Sequence, residues 1–539
     1  MQTINFDAPP LNGVIEILLL DMNTGRNILL NGRELTKKFL PKIKPRAQKS
    51  DDEKFFRTRK NAEVFTPSRV VKFMVDALDD GQIDSRWLEV ACGEAPFITN
   101  DARAGIIDRK LRRAKNFPDV KRALQSVYGY ELQGDSLLIA RANVLLAVAD
   151  CLENISDSEL AECAEIIAWN FFQLDGTEDS GLFGTEIIDW LAGRKFIFGG
   201  NTMKKFDFVI GNPPYQDETT GDNKTFAPPV YDKIMKAAHK VGKKVELITP
   251  ARFLFDAGAT SKDFNQRILS DSHFKVLDYQ PDARKVFKNV DIKGGVAITL
   301  RDEDKNFGAI EIFIPFPELK TVHQKVCVDN KNFKPLSEIM TGTDIYHWRE
   351  QIHIENPTIA KRMSKGHEYD ISTNAFELLP EIFFDDKPND GREYVQMIGR
   401  EKNQRKTKWL RRDYLKEHET FYKWEALVPA SNGSGALGEV IPTPLVGHTS
   451  TFITVGAFDS EAEARACLSY IKSKFCRAML GILKVTQHNP PATWAKVPLQ
   501  DFTPAGDIDW SGDVDAQLYK KYELDAAEIK FIETHVKAM

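Results

Sequence analysis

The chemistry of this chain concentrates in Asn212-Pro213-Pro214-Tyr215, which follows Gly211 and the apolar run Phe208-Val209-Ile210. The run reads as a buried strand. Two prolines remove two backbone donors and fix φ twice, so the loop at the strand's end is stiff. The groups it can present are few: the Asn212 amide, the Pro213 carbonyl and the Tyr215 ring. An amino group on a planar ring can give its two hydrogens to the first two and stack on the third. That arrangement suits the holding of an exocyclic amine for methylation. The ordinary alternative is a proline turn closing a strand. Asn489-Pro490-Pro491-Ala492 repeats the tripeptide without a preceding apolar strand and without a ring, and reads as a turn.

Further polar residues fall at the ends of other expected strands. Trp87 to Ala91 reads as a strand, followed by Cys92-Gly93-Glu94-Ala95-Pro96-Phe97. Gly93 allows the backbone close to a ligand. Ser126 to Tyr130 is a second strand, ending at Glu131, where a carboxylate can accept from both hydroxyls of a ribose. Phe171 to Leu174 ends at Asp175, which can accept from an adenine amino group. Neither GxGxxG nor GxxxxGK[ST] occurs, which argues against a dinucleotide and against ATP. A small cationic nucleoside such as S-adenosylmethionine needs no pyrophosphate loop.

The elements that position these residues alternate. Thr66 suits an N-cap and Pro67 the first helical position, before Val70, Val71, Met74, Val75 and Leu78 at helical spacing. A long helix carries Leu137 to Val148, another lies near Val230 to Ala238, and Val245 to Ile248, Phe274 to Tyr279 and Gly295 to Leu300 read as strands, the last antiparallel. Such alternation implies a mostly parallel sheet with helices on both faces and ligands at the strands' carboxyl ends. Val14 to Leu20 reads as a strand, and Lys37 to Lys60 as a charged, solvated loop.

A chain of 539 residues is too long for one core. The rhythm changes twice, giving an N-terminal segment 1–60, an α/β domain 61–305 and a more irregular domain 306–539. Net charge is -5 and the pI about 6.1, which excludes a uniformly basic nucleic-acid binder and leaves room for a local basic cleft. Cys92, Cys151, Cys163, Cys327, Cys467 and Cys476 are scattered with no CxxC, so a reducing cytoplasm and no bound metal are expected. No apolar run reaches membrane-spanning length, and no signal-peptide pattern opens the chain.

Together these segments resemble gamma-class adenine-N6 DNA methyltransferases of type II restriction-modification systems, over about residues 61 to 300 and in that family's order. Phe65-Thr66-Pro67 with Val70 to Val75 resembles the motif at the cofactor's methionine end. Leu88 to Phe97 is similar to the glycine turn, Tyr130-Glu131 with the Ile139 to Asn143 helix to the ribose motif, and Asn170 to Asp175 to the adenine motif. Asn212 to Tyr215 matches the catalytic motif. Ile248 to Leu254 also resembles a family segment. Two departures stand in the turn: Ala95 replaces a second glycine, and Glu89 replaces the commoner aspartate.

The resemblance implies an α/β, Rossmann-like S-adenosylmethionine-dependent methyltransferase domain followed by a mixed α+β target-recognition domain. It implies cofactor contacts at Thr66, Pro67, Glu89, Ala91, Gly93, Glu131, Asp175 and Asn212. It implies catalysis by Asn212, Pro213, Pro214 and Tyr215 on an adenine flipped out of duplex DNA. Phe287 is either a second stacking aromatic or plain core. In the expected recognition domain, Arg400, Lys402, Arg405, Lys406, Lys408, Arg411 and Arg412 interleave with Tyr394, Trp409, Tyr414, Phe421 and Trp424. DNA phosphate contacts are expected there, against a solvated helix with a buried aromatic stripe. Asn432-Gly433-Ser434-Gly435 reads as a flexible turn able to enter a groove. The implied setting is the cytoplasm of a prokaryote, with a separately encoded restriction endonuclease as partner. Alternatives are a bifunctional restriction enzyme with methylase activity, or an NPPY methyltransferase acting on cytosine N4, RNA or protein glutamine.

Overall fold

The computed structural model describes residues 5–39, 48–61, 64–152, 154–177, 185–190, 192–197, 206–216, 228–287, 290, 292–431, 441–484 and 487–537. The chain divides into two compact units, Met1–Ile312 and Phe313–Met539.

The first unit is built on seven strands: β1 (Trp87–Val90), β2 (Val127–Glu131), β3 (Phe171–Gln173), β4 (Phe206–Gly211), β5 (Gly242–Pro250), β6 (Phe274–Gln280) and β7 (Val296–Asp302). Their spatial order is β6-β7-β5-β4-β1-β2-β3. The five from β3 to β5 are parallel, and β7 runs antiparallel to both β5 and β6. All four residues of β1 are buried, as in a central strand covered on both faces.

Nine helices of this unit bear on the argument: α1 (Ile15–Leu19), α2 (Asp51–Asn61), α3 (Ser68–Leu78), α4 (Ile106–Arg113), α5 (Phe117–Gln125), α6 (Gly134–Cys151), α7 (Asp157–Asn170), α8 (Tyr231–Val241) and α9 (Lys262–Ser270). The strand order reverses between β1 and β4. Right-handed crossovers therefore place α4 to α7 on one face and α8 on the other. That reversal is where open α/β sheets hold ligands.

Three local readings of the sequence change. Ile15 to Leu19 is a helix, because Ile15, Leu18 and Leu19 fall at i, i+3 and i+4 on one buried face. Asp51 to Asn61 is also a helix, with three acids in its first turn. At α3 the cap position is Pro67, extended at φ -66° and ψ 145°, and Thr66 caps nothing. Arg141, fully buried in α6, ties the N-terminal residues to the sheet. It donates to the carbonyls of Leu18 (2.7 Å), Leu20 (2.9 Å), Ala168 (3.0 Å) and Phe171 (2.8 and 2.5 Å). Burial lowers its pKa to about 10.

Among the described residues the second unit holds a two-stranded pairing of His347–Trp348 with Leu415–Lys416 and two larger sheets. One has β8 (Phe383–Phe384), β9 (Tyr394–Glu401), β10 (Gln404–Arg411) and β13 (Val446–His448); the other has β11 (Trp424–Pro429), β12 (Ile441–Thr443) and β14 (Phe452–Phe458). Helices Glu461–Lys472, Lys474–Gly481, Val514–Lys521 and Ala526–His535 follow. The basic aromatic stretch is thus a β-hairpin and not a helix. Lys402 and Asn403 form its two-residue turn at φ 46° and 66°, the left-handed pair of a type I′ turn. Among the described residues, no helix is long and apolar enough to cross a membrane. No group of three or more His, Cys, Asp or Glu among them could hold a metal ion.

Candidate active site

A cavity of about 500 Å³ lies at the carboxyl ends of β1, β2, β3 and β4. Small-molecule sites run from about 300 to 1,000 Å³. Its lining includes Thr66, Pro67, Glu89, Ala91, Gly93, Glu131, Asp175, Asn212 and Pro214, so every cofactor contact implied by the resemblance reaches one space.

The turn after β1 shapes its floor. Ala91, Gly93 and Ala95 all have left-handed backbone, at φ 46°, 54° and 58°. A non-glycine residue there costs about 1–2 kcal/mol. Alanine at 95 therefore keeps the shape a glycine would take more cheaply. Two carboxylates hold the turn. Glu131 accepts from the Gly93 N–H and the Gln133 N–H, both at 2.8 Å. Glu89 accepts from the N–H groups of Phe97 (3.3 Å) and Ile98 (3.1 Å). Burial, opposed by these two bonds, pushes the Glu89 carboxyl well above the usual carboxylate range. Both Glu89 oxygens, like both Glu131 oxygens, accept from backbone N–H groups and so hold the turn in shape. Asp175 accepts from the Thr177 N–H (2.9 Å) and hydroxyl (2.6 Å) through one oxygen.

Asn212 sits where β4 ends. Gly211 precedes it because a Cβ there would lie 2.5 Å from Val90 Cγ2 and 2.8 Å from the Val90 carbonyl. The Asn212 Nδ2 donates to the Val64 carbonyl (2.8 Å) and to Thr66 Oγ1 (3.1 Å). Both amide hydrogens are engaged, and Oδ1 is left buried without a partner. Thr66 thereby orients Asn212, a role that its place in the sequence did not suggest.

The two expected stacking aromatics are elsewhere. Tyr215 and Phe287 are both buried, with ring centroids 6.4 Å apart at 64°, edge to face. Pro213 is buried too; Asn212, Pro214 and Gln216 line the cavity, while Pro213, Tyr215 and Phe287 do not. A ring cannot enter between Tyr215 and Phe287 until the pair parts.

The sequence reading missed several residues of the lining. Gln48 and Lys54 reach the cavity from the segment read as a solvated loop, and Asn100, Asp101 and Ser136 contribute from the turn and α6, beside Asn143 of the segment read as the ribose motif. The acidic first turn of α2 was the available signal for the first two. Beside the cavity, and sharing Ser68 with it, a second groove is lined by Arg69, Lys72, Arg103, Arg109 and Arg112 against Asp76 alone among acids. Three of its five cations already have carboxylate partners: Lys72 and Arg109 pair with Asp76, and Arg103 pairs with Asp150.

In the second unit the basic residues divide. Arg411 pairs with Glu355 and Asp413 and lies 4.2 Å from the Tyr414 ring. Arg412 pairs with Glu417 (2.8 Å) and bonds the Tyr422 hydroxyl. Lys408 is buried against Glu401 (2.6 Å) and Asp385 (3.6 Å). These three are committed to internal pairs, which removes them as ready phosphate ligands. Lys406 keeps an exposed pair with Glu401 at 3.1 Å. Arg400, Lys402 and Arg405 cluster at the hairpin tip, Arg400 directly across from Arg405, where like charges repel. Arg405 also lies over the Phe452 ring at 5.5 Å. Residues 432 to 435 lie outside the described residues. Asn489 to Ala492 opens a short 3-10 turn at Pro491, as its sequence suggests.

The mixed sheet with flanking helices, the cavity and the oriented asparagine converge on one comparison. Residues 125–287 match the Eco57I restriction-modification methylase family. The match bears out the resemblance read from the residues, and the fold is that of an α/β methyltransferase. The matched segment holds Glu131, Asp175, the Asn212 loop and Phe287; Thr66 and the glycine turn lie before it. An uncharacterized adenine-specific methylase of Mycoplasma pneumoniae is 27% identical over 134 residues, 24% of this chain. The chain spans only 28% of that relative's length. Among solved structures, a nuclease-deletion mutant of the Type ISP restriction-modification enzyme LlaGI with a DNA substrate mimic superposes at TM-score 0.42 and 12% identity, covering 81% of this chain and 46% of that one. The DrdV–DNA complex gives TM-score 0.42 and 12% identity, over 89% and 57%.

Proposed function

We propose that the chain is a site-specific DNA methyltransferase that moves a methyl group from S-adenosylmethionine to N6 of adenine in duplex DNA, as the modification part of a restriction-modification system. The observation that carries this reading is the Asn212 amide: both hydrogens are tied to Val64 and Thr66, and a buried, unpartnered oxygen remains at the strand end. That oxygen needs a donor, and an exocyclic amine is one.

The cavity suits the cofactor. Glu131, in contact with the Gly93 turn, and Asp175 offer carboxylates to a nucleoside, and Thr66 and Asn212 line the same space. When bound, S-adenosylmethionine supplies an electrophilic methyl group on a sulfonium. Adenine N6 is a poor nucleophile because its lone pair is delocalised into the ring. Asn212 Oδ1 and the Pro213 carbonyl, accepting its two hydrogens, favour a tetrahedral nitrogen and stabilise the positive charge that develops there. The stiff loop holds the nitrogen in line, which removes much of the entropic barrier. Tyr215 parts from Phe287 to stack on the flipped base. The adenine-specific name of the bacterial relative supports the choice of base. The basic groove beside Ser68 and the hairpin tip at Arg400 to Arg405 support a nucleic-acid partner. A separately encoded endonuclease and a cytoplasmic setting follow from the same reading.

The test is to incubate the protein with unmethylated genomic DNA and labelled cofactor, then quantify modified nucleosides by mass spectrometry. The reading expects N6-methyladenine. Label found in RNA or in protein glutamine, with DNA unmodified, would overturn it.

A further inference from the structure

The cavity lining carries Glu94, Asp101, Glu131 and Asp175, with Glu89 held toward its neutral form by burial, and among the described residues one cationic side chain, Lys54. This asymmetry matters if the ligand is S-adenosylmethionine, on which the inference rests. That molecule is cationic at sulfur and at its α-amino group, which an acidic lining attracts. Its α-carboxylate is anionic, and an acidic lining repels it unless a cation receives it.

Lys54 is placed for that task. It neighbours Phe65, the residue before the Thr66 that receives Asn212 Nδ2, and Gln48, which bonds Asp101; all of these line the cavity. Its ammonium sits 5.5 Å from the Phe65 ring centroid and 3.5 Å from Gln48 Oε1, contacts that hold it at the cavity. The segment bearing it is pinned to the rest of the unit. Gln48 bonds Asp101; the Lys49 N–H donates to Glu94 at 2.9 Å, and Lys49 Nζ donates to Ser136 at 2.8 Å; Arg57 pairs with Asp135. These ties join α2 to the glycine turn and to the start of α6.

We propose that Lys54, on the N-terminal helix α2, recognises the α-carboxylate of the cofactor, and that the segment 48–57 is part of the cofactor site. A charge-assisted bond to a half-exposed lysine corresponds to about tenfold in affinity.

The experiment is calorimetry on the full chain and on Lys54→Met and Lys54→Arg, with S-adenosylmethionine, S-adenosylhomocysteine and 5′-methylthioadenosine. The last keeps the nucleoside and lacks the amino-acid arm, so it reports whether the rest of the pocket is intact. The inference expects Lys54→Met to weaken the first two about tenfold and leave 5′-methylthioadenosine unchanged, with Lys54→Arg restoring most of the loss. Equal weakening of all three ligands would show a structural role, and no weakening of any would show no role; either overturns the inference alone. If the unaltered chain binds none of the three, the methyltransferase reading itself fails.

Discussion

Replacing Thr66 by valine isolates the orientation of Asn212 from everything else in the site. Valine keeps the shape of threonine and removes only the hydroxyl that receives the Asn212 Nδ2 at 3.1 Å. The Val64 carbonyl remains, at 2.8 Å, so one of two anchors is lost. A neutral hydrogen bond contributes about 0.5–1.5 kcal/mol net. If that energy keeps the amide oxygen toward the amine, single-turnover methyl transfer should slow by about 2- to 13-fold. Cofactor affinity should hold, because the hydroxyl is engaged by Asn212. The assay is rapid-quench transfer of labelled methyl to DNA at saturating cofactor, repeated in an Asn212→Ala background. There the valine substitution should do nothing more, since its target is gone. An equal slowing in both backgrounds would mean that Thr66 acts directly on the cofactor, and the orientation argument would be refuted.

Three further outcomes are expected. Arg411→Ala should lower the Tm of the second unit by about 2 °C, because the buried Arg411 loses its packing on Tyr414 and its pairs with Glu355 and Asp413, both of which stay hydrated; an unchanged Tm with weakened DNA binding would return Arg411 to the DNA surface. Replacing Arg400 and Lys402 with alanine should instead flatten log affinity against log salt by about 0.9 per lost phosphate contact and leave Tm unchanged. Glu246 lies fully buried in β5 with neither oxygen partnered, and burial, opposed by Lys275, pushes its carboxyl up to about 9. The folded chain then keeps a proton that the unfolded chain releases near 4.5, so stability falls as pH rises through that window, by up to about 1.4 kcal/mol per unit. Glu246→Gln should flatten the pH dependence of urea unfolding between pH 5 and 8, and parallel curves for the two proteins would contradict the assignment.

The middle strands of the sheet were legible because they are largely buried and mostly apolar, broken only by Asp207 and Glu89 in the two that follow. Phe206 to Gly211 and Trp87 to Val90 are the clearest cases. The acids at strand ends were legible for the same reason, since each strand stops abruptly at a polar residue. What the sequence hid depends on contacts distant along the chain. Thr66 reads locally as a helix cap, and only the fold brings it to Asn212, 146 residues on. Lys54 belongs to a short polar helix with little apolar periodicity, and its meaning comes from the cavity it reaches. The basic stretch was read for phosphate contact, with a helix as its alternative; neither its hairpin nor the carboxylate partners of Arg411 and Arg412 can be had from counting charges and aromatics. Val14 to Leu20 is apolar enough for either element, and the buried face at Ile15, Leu18 and Leu19 decides for helix.

Asn212→Ala gives the most direct test of the account. The substitution removes the buried, unpartnered amide oxygen at the end of β4 and touches neither Glu131 nor the glycine turn. Losing a preorganised polar group that acts on the transition state typically costs about 10²–10³ in turnover. The measurement is the single-turnover rate of methyl transfer to DNA, beside cofactor and DNA affinities for the same variant. The account predicts a rate lower by at least about 100-fold, with both affinities close to those of the unaltered chain. Turnover near that of the unaltered chain would contradict it.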